Sequence, residues 1–449
     1  MIGKIAVAAA NFAIDKSYSY YVPQEMYLQP GMRVQVPFGR GNRLSEGIVL
    51  SVEPGDSDGL KAVAHSLDEA PVLNDTMLRL AAFLRERCFC TFYEAARAML
   101  PAGLWFDTRE SYVLTEDRSW QVKPSRDKVA HQILEMMDHA GGEIDGQILR
   151  QTVESQALEK ALSYLIRKKW ITAKTDYQRR TNDKTEKIAQ LAVSAEEAMA
   201  YADSRPKSAA MQRSVLQTLC TVGSVAVKEL CYFTGAGAAT VNRLAKLGYV
   251  TLSVRDVLRC REIRPVRLDG PLALNEEQER AYQGLYGQLS AQQPGTALLY
   301  GVTGSGKTAV YLKLIRSCLD LGKSAVLLVP EIALTPQLLG LLAAYFGQTV
   351  AVLHSSLPAG ERYDQWKRIR SGEARVVVGT RSAVFAPCVN LGLMILDEEQ
   401  EHSYKSENNP RYDAKEVALW RGMREKCLVL LGSATPSIGT MYQAKIGAY

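Results

Sequence analysis

The chain contains the stretch Ala297-Leu298-Leu299-Tyr300-Gly301-Val302-Thr303-Gly304-Ser305-Gly306-Lys307-Thr308, which decides the fold of its last third. The first four residues are apolar and predict a buried strand, and residues 301–308 fit the phosphate-binding pattern G-x-x-x-x-G-K-[ST]. Residues 309–319 then have the composition of a helix. A strand, a glycine-rich loop and a helix in this order predict a nucleotide-binding P-loop, because loop amides and a helix N-terminus both attract phosphate oxygens.

Each residue type in this loop suits nucleotide binding. Glycines allow the amides to turn inward, Lys307 is predicted to neutralise charge on the β- and γ-phosphates, and Thr308 is predicted to ligate Mg²⁺. A chance octapeptide in a plain turn is the alternative, and the flanking strand and helix argue against it. The predicted cofactor-binding residues of the loop are Gly301, Val302, Thr303, Gly304, Ser305, Gly306, Lys307 and Thr308.

A second motif supplies the acidic partner that a P-loop needs to hold its metal ion. The apolar run Leu393–Leu396 ends in Asp397-Glu398-Glu399-Gln400. Asp397 is the predicted metal ligand, and Glu398 is predicted to orient or deprotonate the attacking water. An exposed acidic turn is the alternative interpretation, and these two motifs alone do not exclude kinases or simple nucleotide switches.

Strand-like apolar runs recur throughout the last third of the chain, separated by segments of helix length. Such near-continuous apolar strands are typical of a parallel sheet that is covered on both faces. The sequence therefore predicts a parallel α/β domain over residues 270–449. The predicted strands are 296–300, 325–329, 349–353, 375–378, 393–396 and 427–431.

The rest of the chain predicts smaller domains of other kinds. Residues 4–52 alternate β-formers with turn pairs, which predicts a small β-barrel or sheet, and a helical segment follows over 74–100. The middle third contains two similar stretches, about 80 residues apart, in which helices with basic ends precede an apolar strand, as in winged helices. Amphipathic helical hairpins with lysine-rich surfaces are the alternative. The predicted domains are a barrel over 1–105, winged-helix-like units over 106–180 and 209–262, and a linker over 181–208.

Composition limits the class of protein. A length of 449 residues suggests about three domains, and 47% hydrophobic with 23% charged residues is ordinary for a globular protein. A formal charge of +6 permits contact with a polyanion without establishing it. The eight cysteines form no CxxC pair, which favours reduced, mostly buried thiols over a zinc site. We find neither a signal-peptide core nor a membrane-length apolar stretch in the sequence, so we expect a cytoplasmic protein without membrane contact.

Further motifs narrow the class to superfamily two helicases. Gly432-Ser433-Ala434-Thr435 follows a predicted strand, and Gln278 ends a segment that resembles the adenine-reading glutamine element of those helicases. Longer stretches, Val329–Gln337, Val378–Ala383 and Ser403–Lys405, resemble the PriA family of bacterial replication-restart helicases. The resemblance implies a multidomain α/β protein with a RecA-like helicase lobe, with ATP and Mg²⁺ as its cofactors.

The same resemblance implies two DNA-contacting regions. In this family the loop after the acidic motif is aromatic-rich and links DNA contact to hydrolysis, and the N-terminal domain holds the 3′ end of a nascent strand. Packing of the loop aromatics against the sheet, and a solvated surface charge at Lys61, are the respective alternatives. The residues expected to contact DNA are Tyr18, Ser19, Gly39, Lys61, Arg381, Tyr404, Lys405 and Tyr412.

Three positions depart from the family pattern. Ser19 stands where better-known members carry an aspartate that would accept a hydrogen bond from the 3′ hydroxyl, and a serine accepts it more weakly. Gln400 stands where the acidic motif usually ends in histidine, and it completes the expected catalytic set with Lys307, Asp397 and Glu398. Pro410 replaces a tryptophan of the aromatic-rich loop, for which Tyr412 could compensate.

By resemblance, the full-length protein is expected to be a 3′–5′ DNA helicase of the primosome that restarts stalled forks. Its expected partners are forked DNA, single-stranded DNA with a 3′ end at the branch, primosome proteins and single-strand DNA-binding protein. The family continues into a second helicase lobe and a zinc module, whose cysteines are absent from this sequence. We therefore expect a truncated chain that binds ATP but hydrolyses it weakly.

Two rival functions fit parts of the sequence. A non-enzymatic module that binds fork DNA and ATP would show no DNA-stimulated phosphate release. A winged-helix transcription regulator with an ATP sensor would prefer one duplex sequence over forked DNA.

Overall fold

The computed structural model describes residues 1–39, 42–117, 119–122, 127–153, 155–179, 184–206, 209–261, 263–268, 270 and 272–449. They form two compact units, one of Met1–Met99 with Asn182–Tyr449 and one of Leu100–Thr181. The predicted domain boundaries at residues 180, 181, 208 and 262 lie outside the described residues. Within the described ranges, we find no helix with the length and apolar character needed to cross a membrane.

The first unit begins with a five-stranded antiparallel sheet of order β2-β1-β4-β3-β5. Its buried core includes Ile5, Val34, Val36 and Val49. Two helices follow, where the sequence predicted one helical segment over 74–100. The elements are β1 (Ile2–Val7), β2 (Tyr18–Tyr21), β3 (Arg33–Phe38), β4 (Arg43–Glu53), β5 (His65–Ser66), α1 (Asp75–Cys88) and α2 (Phe92–Ala98).

Local capping explains why the predicted helical segment divides in two. The side chain of Asn74 caps the start of α1, which ends at Phe89 in the left-handed region, with φ of 51°. Thr91 and Glu94 then form a capping box that starts α2. Because a capping box satisfies two free backbone donors at a helix start, it favours a new helix over continuation of the old one.

The second unit is a small α/β domain with an antiparallel sheet of order β7-β6-β8. Its helices bury Ile133, Leu134, Leu149 and Leu165 beside Trp170. The elements are β6 (Phe106–Leu114), α3 (Ser119–Val122), α4 (Lys128–His139), β7 (Glu143–Asp145), α5 (Gly146–Thr152), α6 (Ser155–Arg167) and β8 (Ile171–Arg179).

The first unit contains a domain whose helices and strands follow one another in the same order as those of the second unit. Its sheet order β10-β9-β11 corresponds to β7-β6-β8. The expected linker over 181–208 differs from this structure, because its described residues contribute β9 and α7 to the domain. The buried positions there are Ile188 and the alanines Ala189, Ala198 and Ala202, and one isoleucine among small alanines leaves no strong apolar pattern in the sequence. The elements are β9 (Thr185–Leu191), α7 (Ala195–Ser204), α8 (Ala210–Val222), β10 (Ser224–Ala226), α9 (Val227–Thr234), α10 (Ala238–Lys246) and β11 (Val250–Asp256).

The last part of the first unit is the predicted parallel α/β domain. Its six strands are all parallel, in the order β12-β17-β16-β13-β15-β14. The elements are α11 (Glu276–Ser290), β12 (Gly295–Tyr300), α12 (Lys307–Asp320), β13 (Ser324–Leu328), α13 (Pro336–Phe346), β14 (Val350–Leu353), α14 (Ala359–Arg370), β15 (Val376–Gly379), β16 (Leu391–Asp397), α15 (Ala414–Glu425), β17 (Leu428–Ser433) and α16 (Ile438–Lys445).

This strand order brings the predicted chemistry together. The P-loop follows β12, the acidic motif ends β16 and the Gly-Ser-Ala-Thr segment ends β17, and these three strands are neighbours. Because the carboxyl ends of parallel strands meet at one edge of a sheet, all three motifs lie at the edge where open α/β sheets bind ligands.

Helix α15 contacts three regions of the first unit. The ring of Trp420 stacks on Phe83 of α1, with ring centroids 5.7 Å apart, and Glu416 lies 3.1 Å from Arg87 of the same helix. Lys415 pairs with Glu399 of the acidic motif, at 2.7 Å. The buried Arg421 donates to the carbonyl oxygens of Val384 and Ala386, which follow β15. The helix thus connects the N-terminal part with the nucleotide-side loops.

Candidate functional site

The P-loop has the backbone shape that phosphate binding requires. Gly304 and Gly306 have φ of +79° and +82°, and α12 begins at Lys307 directly after them. A Cβ on Gly306 would lie 2.3 Å from the side-chain nitrogen of Gln278. This position therefore needs glycine both for its left-handed backbone and for the close approach of Gln278.

Lys307 lies between the P-loop and the acidic motif. Its Nζ donates to the carbonyl oxygen of Gly301 at 2.9 Å and lies 3.6 Å from Oε1 of Glu398. Glu398 has φ of 48°, in the left-handed region, directly after the end of β16. The ammonium group is therefore held where a nucleotide phosphate can replace these oxygens as its partner.

Gln278 lies against the P-loop, as its predicted role requires. Its amide nitrogen donates to the carbonyl oxygen of Ser305 at 2.9 Å. Its amide oxygen accepts from the backbone of Asn275 at 2.9 Å, which completes a capping box at the start of α11. Both ends of the amide are thus engaged within the protein, and a contact with adenine stays a prediction.

Asp397 and Thr308, the predicted Mg²⁺ ligands, carry the kind of oxygen atoms that this ion prefers. Burial raises the pKa of Asp397 above its usual value, and the hydrogen bond from Tyr311 to its Oδ1, at 2.9 Å, opposes that rise. One carboxylate with one hydroxyl fits Mg²⁺, which keeps several waters and shares its remaining sites with nucleotide phosphates. Among the described residues no group of three His, Cys, Asp or Glu side chains is placed to hold a metal ion.

Tyr311 is a residue that the sequence did not single out. Its buried hydroxyl lies between Asp397 and β17, and a Cβ on Gly432 would come within 1.8 Å of it. Gly432 is therefore glycine because Tyr311 needs this space. A tyrosine at the second turn of α12 gives no sequence signal of contact with an acidic motif 86 residues away.

We predict that Tyr311→Phe raises the Mg²⁺ concentration required for half-maximal ATP binding by about 10-fold, because groups that orient a metal ligand affect metal affinity by that order. The measurement is a Mg²⁺ titration of the binding of a fluorescent ATP analogue. Tyr282→Phe is the matched control, since it removes a hydroxyl that bonds to Ser317 at 2.8 Å. An equal Mg²⁺ requirement in both variants would show that Tyr311 does not position Asp397.

Gln400 connects the acidic motif with the Gly-Ser-Ala-Thr segment. Its amide nitrogen donates to Glu398 at 3.0 Å, and its amide oxygen accepts from the hydroxyl of Ser433 at 2.6 Å. The Ser433 hydroxyl in turn accepts from the backbone of Thr435 at 2.9 Å. Glutamine has one donor end and one acceptor end, so it makes this bridge without titrating, unlike the histidine of the family pattern.

Glu399 is a second residue that sequence reasoning missed. Its carboxylate is buried and accepts hydrogen bonds from Lys415 at 2.7 Å, from the Ser437 backbone at 2.7 Å and from Thr440 at 3.0 Å. Burial alone would raise the pKa of Glu399, but these donors hold it below its usual value. The two adjacent glutamates thus have different surroundings, with Glu398 at the P-loop lysine and Glu399 beneath α15 and α16.

The aromatic residues expected to stack on DNA are buried. Tyr404 is 2% exposed, and its hydroxyl donates toward the carbonyl oxygens of Asp397, at 2.7 Å, and Leu328, at 3.1 Å. Tyr412 is 7% exposed and packs edge-on against Phe385, with ring centroids 4.7 Å apart. This arrangement differs from the expected base stacking, because rings enclosed by the sheet and its loops present no free face to a base.

Two basic residues next to these aromatic rings are more accessible. Lys405 is exposed, and its carbonyl oxygen accepts from the half-buried Arg381 at 2.8 Å. The guanidinium of Arg381 thereby joins the segment after β15 to the aromatic-rich loop. Direct DNA contact by Arg381 and Lys405 stays a prediction.

The four N-terminal residues expected to hold a 3′ end line one open cavity of about 610 Å³. Tyr18 packs edge-on against Phe38, with ring centroids 5.0 Å apart, and Lys61 donates to the carbonyl oxygen of Gly39 at 2.9 Å. Ser19 accepts a hydrogen bond from Lys4 at 2.9 Å. The cavity thus combines an aromatic wall with the ammonium group of Lys61, and its binding of DNA stays a prediction.

We predict that Ser19→Asp strengthens binding of DNA with a 3′ hydroxyl by about 5-fold, because a charged acceptor is roughly twice as strong as a neutral one. A carboxylate at this position can pair with Lys4 through one oxygen and leave the other for the 3′ hydroxyl. The measurement is the anisotropy of labelled oligonucleotides that end in a 3′ hydroxyl or a 3′ phosphate. Equal changes for both ends would contradict contact between residue 19 and the terminus.

Comparison with known proteins identifies two domains. Residues 4–101 match the family model of the PriA 3′DNA-binding domain, and residues 275–443 match that of the DEAD/DEAH box helicase. A solved structure of RecG bound to a three-way DNA junction aligns with 40% of this chain and 23% of that chain, at 27% sequence identity and a TM-score of 0.31.

Curated relatives match nearly the entire chain. Replication restart protein PriA of Bacillus subtilis is 35% identical over 99% of this chain and 54% of that protein. PriA of Synechocystis is 33% identical over 94% of this chain and 50% of that protein. The chain spans about half the length of the curated relatives it matches. With the 3′DNA-binding domain, the helicase domain and this similarity in one polypeptide, the chain is similar over nearly its whole length to the PriA replication restart proteins.

Proposed function

We propose that this chain works as an ATP- and Mg²⁺-dependent DNA helicase of the replication restart type, which recognises stalled or branched forks and moves 3′ to 5′. The family matches support a 3′DNA-binding domain and a helicase domain separately, and the proposal combines them into one activity. The observation that carries it is the pair of hydrogen bonds that connects Glu398 through Gln400 to Ser433. These bonds link the predicted water-orienting carboxylate to the segment that couples the nucleotide state to DNA binding in superfamily two helicases.

Each residue of the nucleotide site has a role in this proposal. Lys307 exchanges its bond with Gly301 for the β- and γ-phosphates, and Glu398 orients the attacking water once Lys307 has turned away from it. Thr308 and Asp397 would hold Mg²⁺, which neutralises the charge that develops on the phosphate oxygens. The buried Tyr311 keeps one oxygen of Asp397 in a fixed orientation.

The N-terminal domain is proposed to hold the 3′ end of a nascent strand. We propose that its sheet is a small barrel, since residues 61–64 bond both to Tyr21 of β2 and to Gln35 of β3. We also propose that the two three-stranded domains are winged helices. Their support is the shared order of helices and strands and the basic residues Arg167, Lys168, Arg243 and Lys246 at the ends of α6 and α10.

DNA is the proposed partner, in the form of a fork with a 3′ end at the branch. Primosome proteins and single-strand DNA-binding protein are proposed as further partners on family resemblance alone. Tyr404 and Tyr412 are proposed to act as a scaffold that presents Lys405 to the DNA backbone. Zinc is expected only of the family, and the described residues of this chain supply no set of ligands for it.

The test is ATP hydrolysis with a forked DNA that ends in a 3′ hydroxyl at the branch, against the same fork blocked by a 3′ phosphate. We expect the 3′ hydroxyl fork to stimulate phosphate release more strongly. ATP and fork binding without any DNA-stimulated release would support a non-enzymatic fork-binding module instead. Preference for one duplex sequence over every fork would contradict both functions.

A further inference from the structure

Two adjacent aromatic side chains are exposed in the domain formed by α8, α9, α10 and the sheet β10-β9-β11. Tyr232 is 84% exposed and Phe233 is 70% exposed, with ring centroids 5.7 Å apart at 72°. The opposite face of α9 already fills the domain core through Val227 and Leu230. The two rings therefore do not serve this core, and exposed aromatic pairs of this kind mark contact surfaces.

The backbone holds the aromatic pair at a defined place. The buried hydroxyl of Thr234 donates to the carbonyl oxygen of Leu230 at 2.6 Å and accepts from the backbone of Ala236 at 3.3 Å. Gly235, with φ of +67°, ends α9, and α10 begins three residues after it. Two helices joined by such a short glycine-containing turn are the connection of helix–turn–helix DNA-binding motifs. The pair thus lies where α9 passes into the helix that would face DNA.

The exposed face of α10 suits contact with the DNA backbone. Its exposed residues are Ala238, Ala239, Asn242 and the basic Arg243 and Lys246, with no acidic residue in the helix. The two alanines at its start cannot hydrogen-bond to base edges, and Asn242 is the one exposed uncharged polar side chain of the helix. The charges favour phosphates, whereas the aromatic rings favour bases.

We propose that Tyr232 and Phe233 form a stacking platform for an unpaired base of branched DNA. Base stacking on aromatic rings is tolerant of sequence, because every base has a flat face. Paired bases inside a duplex offer no such face, so the platform selects DNA with unstacked nucleotides at the branch. This inference rests on the proposed DNA-binding function of the chain and adds a contact separate from the 3′-end cavity.

The test compares the wild-type chain with the double variant Tyr232→Ala, Phe233→Ala. The probes are a fork with a short unpaired segment at the branch, which carries 2-aminopurine, and a fully paired duplex of the same sequence. We expect the double variant to bind the fork about 10-fold more weakly, the loss of one stacked base, with unchanged affinity for duplex. Quenching of 2-aminopurine by the wild-type chain should also disappear.

Two controls make the outcome specific. Tyr27→Ala removes a tyrosine that is 73% exposed in the N-terminal domain and should leave fork binding unchanged. Tyr232→Phe keeps an aromatic ring and should retain most of the affinity for the fork. The affinity for a fluorescent ATP analogue should be equal in all variants.

Three outcomes would overturn the proposal. The first is equal fork affinity in the wild type and the double variant, and the second is an equal loss of affinity for fork and for duplex. The third is a wild-type dimer that the double substitution abolishes, because the rings would then contact a second copy of the chain. If the wild-type chain binds no fork, the proposed function fails as well. If it binds forks and the double variant binds them equally, only the platform is wrong.

Discussion

Lys307→Ala is expected to weaken ATP binding by about 100-fold, because hydrogen bonds to charged groups contribute up to about 3 kcal/mol and two phosphates lose their cation. The substitution also leaves Glu398 without its ion-pair partner at the phosphate site, 3.6 Å from the place of the lost ammonium. Its charge then repels the nucleotide directly. The measurement is equilibrium binding of a fluorescent ATP analogue with Mg²⁺.

Lys313→Ala is the matched control for this substitution. Lys313 lies on the same helix α12, carries the same charge and pairs with Glu279 at 2.7 Å on the surface. We expect its ATP affinity to stay within about 2-fold of wild type, as for an exposed ion pair. Binding of 3′ hydroxyl DNA should be unchanged in both variants. Equal ATP affinity in the two variants would mean that the P-loop of this chain does not bind phosphate.

Arg421→Met is expected to lower the free energy of unfolding by about 3 to 5 kcal/mol, the usual result when one partner of a buried ion pair is removed. The Arg421 guanidinium is fully buried, bonds to Glu425 at 2.6 Å and donates to the Val384 and Ala386 carbonyl oxygens. Methionine fills much of the volume but leaves these acceptors without a donor. The measurement is urea unfolding followed by tryptophan fluorescence.

Two further variants identify the source of that loss. Arg424→Met removes an exposed arginine from the same helix and should change stability by no more than about 0.5 kcal/mol. Combining Arg421→Met with Glu425→Leu should restore part of the lost stability, because an apolar pair avoids the unpaired carboxylate. Full restoration would contradict a contribution from the two carbonyl contacts, and no restoration would contradict one from Glu425.

The nucleotide lobe was the most predictable part of the fold. Its strands are buried on both faces, so runs such as 393–396 and 427–431 are apolar throughout, and the observed β16 and β17 contain all but one of these residues. The parallel direction of the strands also follows from the sequence, because segments of helix length separate them. The sequence could predict that Lys307, Asp397 and Glu398 lie close together, because their motifs directly follow strands that meet at one sheet edge.

Other features required coordinates because they depend on contacts between distant residues. The engagement of Tyr311 with Asp397 and of Glu399 with Lys415 involves side chains that no local pattern connects. The burial of Tyr404 also could not be predicted from the sequence, because an aromatic residue in a loop can stack on a base or pack against the sheet. The strand Thr185–Leu191 went unrecognised for a related reason: its polar residues outnumber its apolar ones.

Helix α15 limits how this protein can be divided. A polypeptide that starts at residue 270 would keep every motif of the nucleotide site, but it would lack α1, and with it the ring of Phe83 and the charge of Arg87. Trp420 would then meet water on the face that the native chain covers. Isolation of the lobe for biophysical work therefore calls for a polar replacement at Trp420, with Lys415 and Arg421 left in place on the inner side of the same helix.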